Sequence, residues 1–375
     1  MTFITSSYYE NVNEETAYHV AFSHFHGIGP ITFGALYKQF GSAKQAYRLP
    51  LHELRPILGD HLTERFGGFR TVFNPMITLD TIYKKGIEVL SFGDASYPKT
   101  LKRISDPPIC LYVKGKKEMI DFEKDVCLSV VGTRKPTSYG QYMTRLFSGK
   151  LVERGFIIVS GLAMGVDTIA HQTALEKHGK TIAVLGCGVD IVYPQVNHRL
   201  YHEIIQRGGI VVSEFPPKQM VKKGLFVARN RLISALSIGV LITEGADNSG
   251  SLITARYAAE QGREVFALPG PVSSAMSEAP NNLIKQGAKL VTKFEDIMEE
   301  FGIKKIHVKN TPFPKLSVKE KSIYNLLFEE AKSADDLLQL SGLSVAELSY
   351  ILSTFEISGL IEKNSEGKYQ ALLTG

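Results

Sequence analysis

Six short runs rich in valine and isoleucine, spaced widely enough for a helix between neighbours, constrain the fold of this chain more than any other feature. The runs are residues 126–131, 157–160, 181–185, 210–213, 239–243 and 264–267. Strands that are apolar at nearly every position are typical of sheets covered on both faces. Because these runs alternate with helical stretches, the sequence predicts an α/β fold with an extended Rossmann-like, doubly wound parallel sheet.

Small and polar residues follow several of these predicted strands, and doubly wound sheets bind ligands where their strands end. Glycine and small hydroxyl residues let backbone amides approach a phosphate, and an arginine can hold it through two parallel hydrogen bonds. The sequence therefore predicts an anion site at these strand ends. Its candidate residues are Gly132, Thr133, Arg134, Lys135, Ser160, Gly161, Ser249 and Gly250.

Arg229, Asn230 and Arg231 form a further basic segment, which the sequence predicts just before a helix. As part of the anion site, this segment would add two positive charges. For Arg231 an alternative stays open, in which it pairs with a nearby carboxylate such as Glu214 or Glu244, because buried arginines need such partners.

No complete motif for nucleotide hydrolysis or dinucleotide binding is present. Gly179-Lys180-Thr181 matches the end of a Walker A loop, but Ala174 replaces its first glycine and the segment precedes a strand. Gly186-Cys187-Gly188 lacks the third glycine of the dinucleotide fingerprint, since Ile191 stands there. These departures argue against an ATPase and against NAD, and no cofactor is expected. Lys180 remains a candidate anion contact.

Asp167 and His171 are four residues apart and would share one face of a helix. A catalytic pair or a metal site is one interpretation. We favour the other, in which Asp167 anchors its loop and His171 is a packed histidine, because no further carboxylate or histidine is spaced to complete a site.

The segments that precede and follow the predicted sheet domain in the sequence predict separate domains. The first 80 residues predict helices and contain His26-Gly27-Ile28-Gly29-Pro30, whose free amides could hold a phosphate as a helix-hairpin-helix turn does. A plain turn is favoured, because no lysine or arginine occurs between Met1 and Tyr37. The predicted domains are a helix-hairpin-helix or SAM-like helical domain (1–80), the sheet domain (84–303), a linker (304–315) and a winged-helix-like domain (316–375).

The charge is distributed unevenly over these regions. The whole chain carries a formal net charge of +5, which divides into 0 for residues 1–90, +8 for residues 91–314 and −3 for residues 315–375. The positive charge lies in the sheet domain, where the neutralisation of a nucleic-acid backbone would be needed. In the acidic tail, residues 345–355 form the candidate recognition helix but contain Glu347 and neither lysine nor arginine. We therefore expect the tail to contact protein and not DNA.

Other features predict that the protein works in a reducing compartment and does not span a membrane. The three cysteines, an odd number without CxxC spacing, argue against a disulfide framework and against a thiolate metal site. The sequence contains no run of about 18 apolar residues, so no membrane span is predicted. The first 15 residues lack the basic and apolar regions of a signal peptide. These observations predict a cytoplasmic protein.

Several of these segments, taken in order, also carry a family resemblance. The chain resembles the DNA-processing protein A family over residues from about 94 to 292. The matching motifs include Val130-Val131-Gly132-Thr133-Arg134, Ser160-Gly161-Leu162-Ala163-Met164-Gly165-Val166-Asp167, Tyr193-Pro194, Ser213-Glu214, Arg229-Asn230-Arg231, Ser249-Gly250-Ser251-Leu252 and Pro269-Gly270.

The resemblance implies a single-stranded DNA-binding protein that forms homodimers and performs no catalysis. It implies that the protein hands DNA to the RecA recombinase during natural transformation or DNA uptake, after displacing single-strand-binding protein. It also implies that Gly132, Thr133 and Arg134 form the phosphate-binding loop. Lys180 and the segment from Arg229 to Arg231 are further contacts on the same basis.

The alternative function is a Rossmann-like nucleotide hydrolase of the phosphoribohydrolase type, whose fold also cradles a phosphate. That class carries a P-G-G-x-G-T-x-x-E signature. Here Pro269-Gly270 is followed by Pro271-Val272-Ser273, so the signature is absent.

Overall fold

The computed structural model describes residues 13–302, 316–357, 360–363 and 367–371. The chain divides into two compact units, residues 1–304 and 305–375. Among the described residues no helix is both long enough and apolar enough to cross a membrane. The predicted linker, residues 304–315, lies outside the described residues.

The first unit begins with helices that end where the sheet starts. They are α1 (Glu14–His24), α2 (Pro30–Phe40), α3 (Ala43–Arg48), α4 (Leu51–Leu58), α5 (Asp60–Val72) and α6 (Pro75–Lys84). The Asn13 side chain accepts a hydrogen bond from the Glu15 amide and begins α1, whereas Gly41 in the left-handed conformation ends α2. Phe22 and Phe66 stack at the centre of this bundle, with 5.3 Å between ring centroids.

The rest of the unit is a nine-stranded sheet flanked by helices. Its elements are β1 (Glu88–Ser91), α7 (Lys99–Lys102), β2 (Cys110–Gly115), β3 (Cys127–Val131), α8 (Ser138–Glu153), β4 (Ile157–Ser160), α9 (Val166–Glu176), β5 (Thr181–Val184), α10 (His198–Gln206), β6 (Ile210–Ser213), α11 (Lys223–Ala235), β7 (Gly239–Ile242), α12 (Gly250–Glu260), β8 (Glu264–Ala267), α13 (Glu278–Lys285), β9 (Lys289–Leu290) and α14 (Phe294–Glu300).

The strand order is β1-β2-β6-β5-β4-β3-β7-β8-β9, and the strands from β6 to β9 in this order are parallel. The six predicted strands are β3 to β8, so the predicted α/β, doubly wound class is confirmed. The sheet is not wholly parallel, however, because β2 pairs antiparallel with both β6 and β1. The sequence analysis missed β1, β2 and β9. β9 has only two residues, both exposed, and such a strand has no apolar run to reveal it.

The helical bundle and the sheet share one hydrophobic core, although the sequence pattern separates them at residues 80–84. Val89, Cys110 and Tyr112 from the antiparallel strands lie in the same cluster as the buried residues of α1 to α6. The Tyr112 hydroxyl also lies 2.5 Å from the Ser23 Oγ of α1. The bundle is therefore packed on the antiparallel edge of the sheet.

The chain changes direction across the sheet between β3 and β7. After β3 it adds β4, β5 and β6 on one side, and then crosses to place β7 on the other side of β3. The loops that follow β3 and β7 diverge, which opens a crevice at their carboxyl ends.

The described residues of the second unit form three helices and a hairpin, and the predicted winged-helix arrangement is confirmed. Its elements are α15 (Val318–Glu329), α16 (Ala334–Ser341), α17 (Val345–Ile357), β10 (Ile361–Lys363) and β11 (Tyr369–Ala371). The two strands are antiparallel, and Lys332 forms an isolated bridge to Tyr369. Leu327, Leu337 and Phe355 belong to a core within this unit.

Candidate functional site

An open cavity of about 780 Å³ lies at the crevice between the ends of β3 and β7. Its walls are the loop after β3, the first turns of α11 and the beginning of α12. Eight of the twelve residues predicted from the sequence line it: Gly132, Thr133, Arg134, Lys135, Arg229, Asn230, Ser249 and Gly250.

The loop after β3 is fixed by close backbone contacts on two sides. The Thr133 amide donates to the Glu244 carbonyl at 2.7 Å, and the Thr133 carbonyl accepts from the Val166 amide at 3.1 Å. A Cβ on Gly132 would lie 2.7 Å from Val166 Cγ2. Since no side chain fits there, glycine is required for the loop to pass between the end of β7 and the start of α9.

Glu244 occupies the N-terminus of α8 with its own negative charge. Its carboxylate accepts hydrogen bonds from the Thr137 amide at 2.8 Å and from the Thr137 hydroxyl at 2.5 Å, and the side chain is buried. The positive end of this helix dipole is thereby neutralised. An anion in the cavity must therefore be held by the cations and the free backbone amides, and not by the start of α8.

Arg229 forms the floor of the cavity and ties together the ends of two strands. Its Nη1 donates to the carbonyl of Gly161, at 2.7 Å, and to the carbonyl of Val184. Burial lowers the pKa of Arg229 to about 10, and the neighbouring Asp167 carboxylate opposes this shift. The guanidinium is thus an internal support as well as a lining residue.

Ser160 and Gly161 lie behind this floor and do not line the cavity. The Ser160 hydroxyl donates to the Val130 carbonyl at 2.7 Å and is buried. A Cβ on Gly161 would lie 2.5 Å from Arg229 Nη1, so this glycine makes room for the guanidinium. Both residues shape the site from within the sheet.

Asp167 and His171 have the packed arrangement that the sequence analysis favoured. Asp167 Oδ2 accepts from the amides of Gly161 (3.0 Å) and Ala163 (3.3 Å), which anchors the loop after β4. Burial raises the pKa of Asp167, and Arg229 opposes that shift. His171 is fully buried with its Nδ1 2.7 Å from the Thr181 hydroxyl, and burial lowers its pKa to about 3.

Arg231 lies on the other side of α11, away from the cavity. Its Nε is 2.8 Å from Asp106 Oδ2 and its Nη2 is 2.6 Å from Glu214 Oε2. The ion-pair alternative is the one the structure shows, with Glu214 and the unforeseen Asp106 as partners. The prediction that this segment precedes a helix is wrong, because Arg229 to Arg231 lie within α11.

Lys180 lies at the amino ends of the parallel strands, on the side of the sheet opposite the cavity. It directly precedes β5, whereas the cavity is at the carboxyl ends of the strands, and its Nζ is 3.3 Å from Asp125 Oδ2. The structure does not bring Lys180 together with the other candidate residues.

Three exposed cations surround the cavity: Arg134, Lys135 and Lys223. Within the part of the chain that the structure describes, none of them has a carboxylate partner. Their positive charge is therefore available to a ligand. The sequence analysis did not name Lys223, although the doublet Lys222-Lys223 shortly before Arg229 is a signal that could have revealed it.

Aromatic rings form part of the cavity wall. Tyr193 and Phe226 both line it, with 5.3 Å between ring centroids. Tyr193 is 41% exposed, whereas Phe226 also packs against Gly186. Phe226 therefore both packs against the loop after β5 and lines the cavity. Tyr139 donates its hydroxyl hydrogen to the Pro269 carbonyl at 2.7 Å and is not a lining residue.

The fold and the site define a Rossmann-like protein with an appended winged helix, and comparison with known families agrees. Residues 88–302 match the family model of the DNA recombination-mediator protein A, and residues 309–367 match that of the DprA winged helix domain. The chain belongs to the DNA recombination-mediator protein A family.

Two relatives have sequences similar to more than half of this chain. The Smf protein of Synechocystis is 32% identical over 396 residues, covering 96% of this chain and 99% of its own. The DNA processing protein DprA of Bacillus subtilis is 41% identical, covering 58% of this chain and 72% of its own.

Two solved structures have similar folds. DprA from Streptococcus pneumoniae aligns with a TM-score of 0.66 and 34% identity, covering 76% of this chain and 97% of its own. DprA from Helicobacter pylori, in a structure describing its single-stranded DNA binding mode, aligns with a TM-score of 0.52 and 34% identity, covering 57% of this chain and 95% of its own.

Proposed function

We propose that the protein binds single-stranded DNA in the cavity at the β3–β7 crevice and hands it to the RecA recombinase during natural transformation or DNA uptake. The observation that carries this proposal is a set of three cations around loops of small residues, Arg134, Lys135 and Lys223, which have no carboxylate partner among the described residues. Cations that neutralise phosphates release condensed counterions, which drives binding to a nucleic-acid backbone. Membership of the recombination-mediator family supports the same function.

The preference for a single strand rests on the aromatic wall. Tyr193 and Phe226 place two rings beside the cations, and unpaired bases can stack on such rings without regard to sequence. Paired bases in a duplex do not offer their faces to a protein. The related Helicobacter pylori protein is described as binding single-stranded DNA, which supports this choice.

We further propose that the protein binds without catalysing a reaction on the DNA. The nearest acid–base candidates, Asp167 and His171, are buried and engaged in hydrogen bonds that hold the loop and the sheet. His171 with a pKa of about 3 is neutral at physiological pH, and it has no exposed surface from which to exchange a proton.

The wider setting is also part of the proposal, and family membership supports it. We infer a cytoplasmic homodimer that displaces single-strand-binding protein and then contacts RecA. A recombination mediator must act where the recombinase and the incoming strand meet, which supports this setting.

Binding of labelled single- and double-stranded oligonucleotides over a salt series tests the proposal. We expect the single strand to bind more tightly, with an affinity that falls as salt rises. Arg134→Ala and Lys223→Ala should each lower the affinity and reduce the magnitude of the salt slope by about 1. Arg199→Ala is the matched control, because Arg199 is an exposed arginine of α10, outside the cavity and paired with Glu203.

Salt-independent binding, or unchanged slopes in both cavity variants, would contradict the proposal. Incubation with nucleoside monophosphates is the companion measurement. Release of free base there would favour the phosphoribohydrolase alternative.

A further inference from the structure

A single residue, Glu244, anchors both ends of the short loop segment that carries Arg134 and Lys135. Its backbone carbonyl accepts a hydrogen bond from the Thr133 amide at 2.7 Å. Its carboxylate accepts from the Thr137 amide at 2.8 Å and from the Thr137 hydroxyl at 2.5 Å. Only three residues, among them the two cations, lie between these anchors. Two of the cations around the cavity at the β3–β7 crevice are therefore held from both sides by one residue.

The segment between these anchors has little freedom of its own. Pro136 fixes one of its backbone dihedral angles, and the Gln141 side chain donates to the Pro136 carbonyl at 3.4 Å. The Lys135 amide donates to the Thr133 hydroxyl at 3.2 Å. The side chains of Arg134 and Lys135 are exposed and have no carboxylate partner among the described residues. Their direction therefore depends on the backbone that carries them.

The Glu244 carboxylate fits beneath the first turn of α8 because the sequence leaves room for it there. Glu244 is 2% exposed. A Cβ on Gly140 would collide with its carboxylate, so a side chain at that position would displace it. The Thr137 hydroxyl accepts a hydrogen bond from the Gly140 amide at 3.2 Å and donates its single hydrogen to Glu244. Glu244, Thr137 and Gly140 thus form one interlocked arrangement, which we call the loop anchor.

The charge of Glu244 opposes the role proposed for the cations beside it. A carboxylate near a phosphate site repels the phosphate, so electrostatics alone would favour a neutral residue here. Salt weakens this repulsion, since the Debye length is about 8 Å at physiological ionic strength. A lost charge-assisted hydrogen bond to phosphate, in contrast, lowers affinity about tenfold or more. We expect the benefit of holding two cations in place to exceed the repulsion.

We propose that Glu244 is a positioning residue for DNA binding. The loop anchor fixes the backbone of the segment, so that Arg134 and Lys135 both face the cavity and meet neighbouring phosphates of one strand. Glu244 itself does not contact DNA, since its side chain is buried against the start of α8 and does not line the cavity. This role rests on the proposed function, because it concerns the same cavity and the same strand.

Two substitutions of Glu244 separate its hydrogen bonds from its charge. Glu244→Ala removes both, and affinity for single-stranded DNA should fall about tenfold, with a salt slope smaller in magnitude by about 1 to 2. Glu244→Gln removes only the charge, because its oxygen still accepts from the Thr137 amide and its nitrogen donates to the Thr137 hydroxyl. It should recover the wild-type salt slope and most of the affinity. If Glu244 acted only through its charge, both variants would bind more tightly than wild type.

Two threonines provide a matched comparison that leaves Glu244 in place. Thr137→Val removes the hydroxyl of the loop anchor and should lower both the affinity and the salt slope, whereas Thr137→Ser keeps the hydroxyl and should restore them. Thr144→Val is the control, because the buried Thr144 hydroxyl donates to the Gly140 carbonyl at 2.6 Å and has no bond to the loop after β3. It should lower stability but leave DNA binding unchanged. Thermal unfolding of each variant establishes that the titrated protein is folded.

The outcomes distinguish this role from the proposed function. If wild-type protein does not bind single-stranded DNA in a salt-dependent way, the proposed function fails. If it does and Arg134→Ala weakens binding, but folded Glu244→Ala keeps the wild-type affinity and salt slope or binds more tightly, the cavity stands and the positioning role is overturned. Where Glu244→Ala does not fold, Thr137→Val decides in the same way against Thr144→Val.

Discussion

Arg229 and Gly161 are matched to each other: the guanidinium donates to the Gly161 carbonyl at 2.7 Å, and it lies where a Cβ on Gly161 would be. The loop after β4 and the floor of the cavity at the β3–β7 crevice therefore form one packed unit. A basic residue that the sequence suggested as a DNA contact is also what holds two strand ends in place.

Gly161→Ala should destabilise the protein by about 1–3 kcal/mol, because the added methyl group displaces the buried guanidinium of Arg229. Affinity for single-stranded DNA should fall with it. Urea unfolding measures the first effect and the oligonucleotide titration the second. Gly250→Ala is the matched control, since nothing lies within 4 Å of its Cβ position, and it should be near neutral in stability.

Arg231→Ala should cost about 3–5 kcal/mol of stability, because it leaves the Glu214 carboxylate buried without its partner. It should leave the salt slope of DNA binding unchanged wherever the variant is folded, as Arg231 does not line the cavity at the β3–β7 crevice. Arg256→Ala is the control, because Arg256 is exposed and paired with the exposed Glu260, and its removal should change the stability little. A reduced salt slope in Arg231→Ala would instead make this residue a phosphate contact.

Lys180→Ala should bind single-stranded DNA as the wild type does. Lys180 precedes β5 at the amino ends of the parallel strands, whereas the cavity is at their carboxyl ends. Its side chain is paired with Asp125. The salt-series titration used for Arg134→Ala is the measurement. A loss of affinity as large as that of Arg134→Ala would return Lys180 to the binding site.

Acidification should destabilise the protein in part through His171. The Thr181 hydroxyl donates to the Ile158 carbonyl and so accepts from His171 Nδ1, which leaves Nε2 as the site of protonation, without a partner among the described residues. Burial, assisted by the positive charge of Arg229, lowers the pKa of His171 to about 3 from 6.5. The unfolded chain therefore binds the proton first, and stability contributed above pH 6.5 is lost as the pH falls towards 3.

Urea unfolding of wild type and His171→Gln between about pH 7 and about pH 5 isolates this contribution, since the variant lacks the titrating group. The variant should lose less stability over that interval. Asp167, whose pKa burial raises, acts in the opposite sense but is present in both proteins. Equal losses in the two proteins would show that His171 is protonated in the folded state.

Removal of residues 305–375 should leave affinity for single-stranded DNA and its salt slope unchanged. α17 carries Glu347 and Glu356 and neither lysine nor arginine, and Lys319 of α15 is paired with Glu347 at 2.8 Å. Such a surface does not attract a phosphate backbone. The truncated chain and the full chain are compared in the same titration. A lower salt slope after truncation would show that this unit contributes phosphate contacts.

Much of the sheet and part of the site could be predicted because their signals are local. Six buried strands appear as apolar runs, and the residues that follow β3 carry the glycine, hydroxyl and cation that an anion site needs. β1 and β2 are apolar runs of the same kind and could have been predicted as strands, whereas their antiparallel pairing is decided by the tertiary structure. Lys223 was missed although the doublet Lys222-Lys223 is visible in the sequence, because only the tertiary structure shows that Lys223 lines the cavity.

The sequence alone determined the α/β class, the basic sheet region, the acidic tail and the loop from Gly132 to Lys135. Only the tertiary structure decided which cations face the cavity. Arg229 and Arg231 are two residues apart on α11, and a helix turns by roughly 200° over that distance, so one reaches the cavity floor and the other a buried carboxylate. The direction of the parallel strands likewise places Lys180 at their amino ends, away from the cavity at their carboxyl ends. A short segment of sequence reveals which residue types are available for a site. The direction in which each side chain points depends on its position around the helix and on the order of the strands.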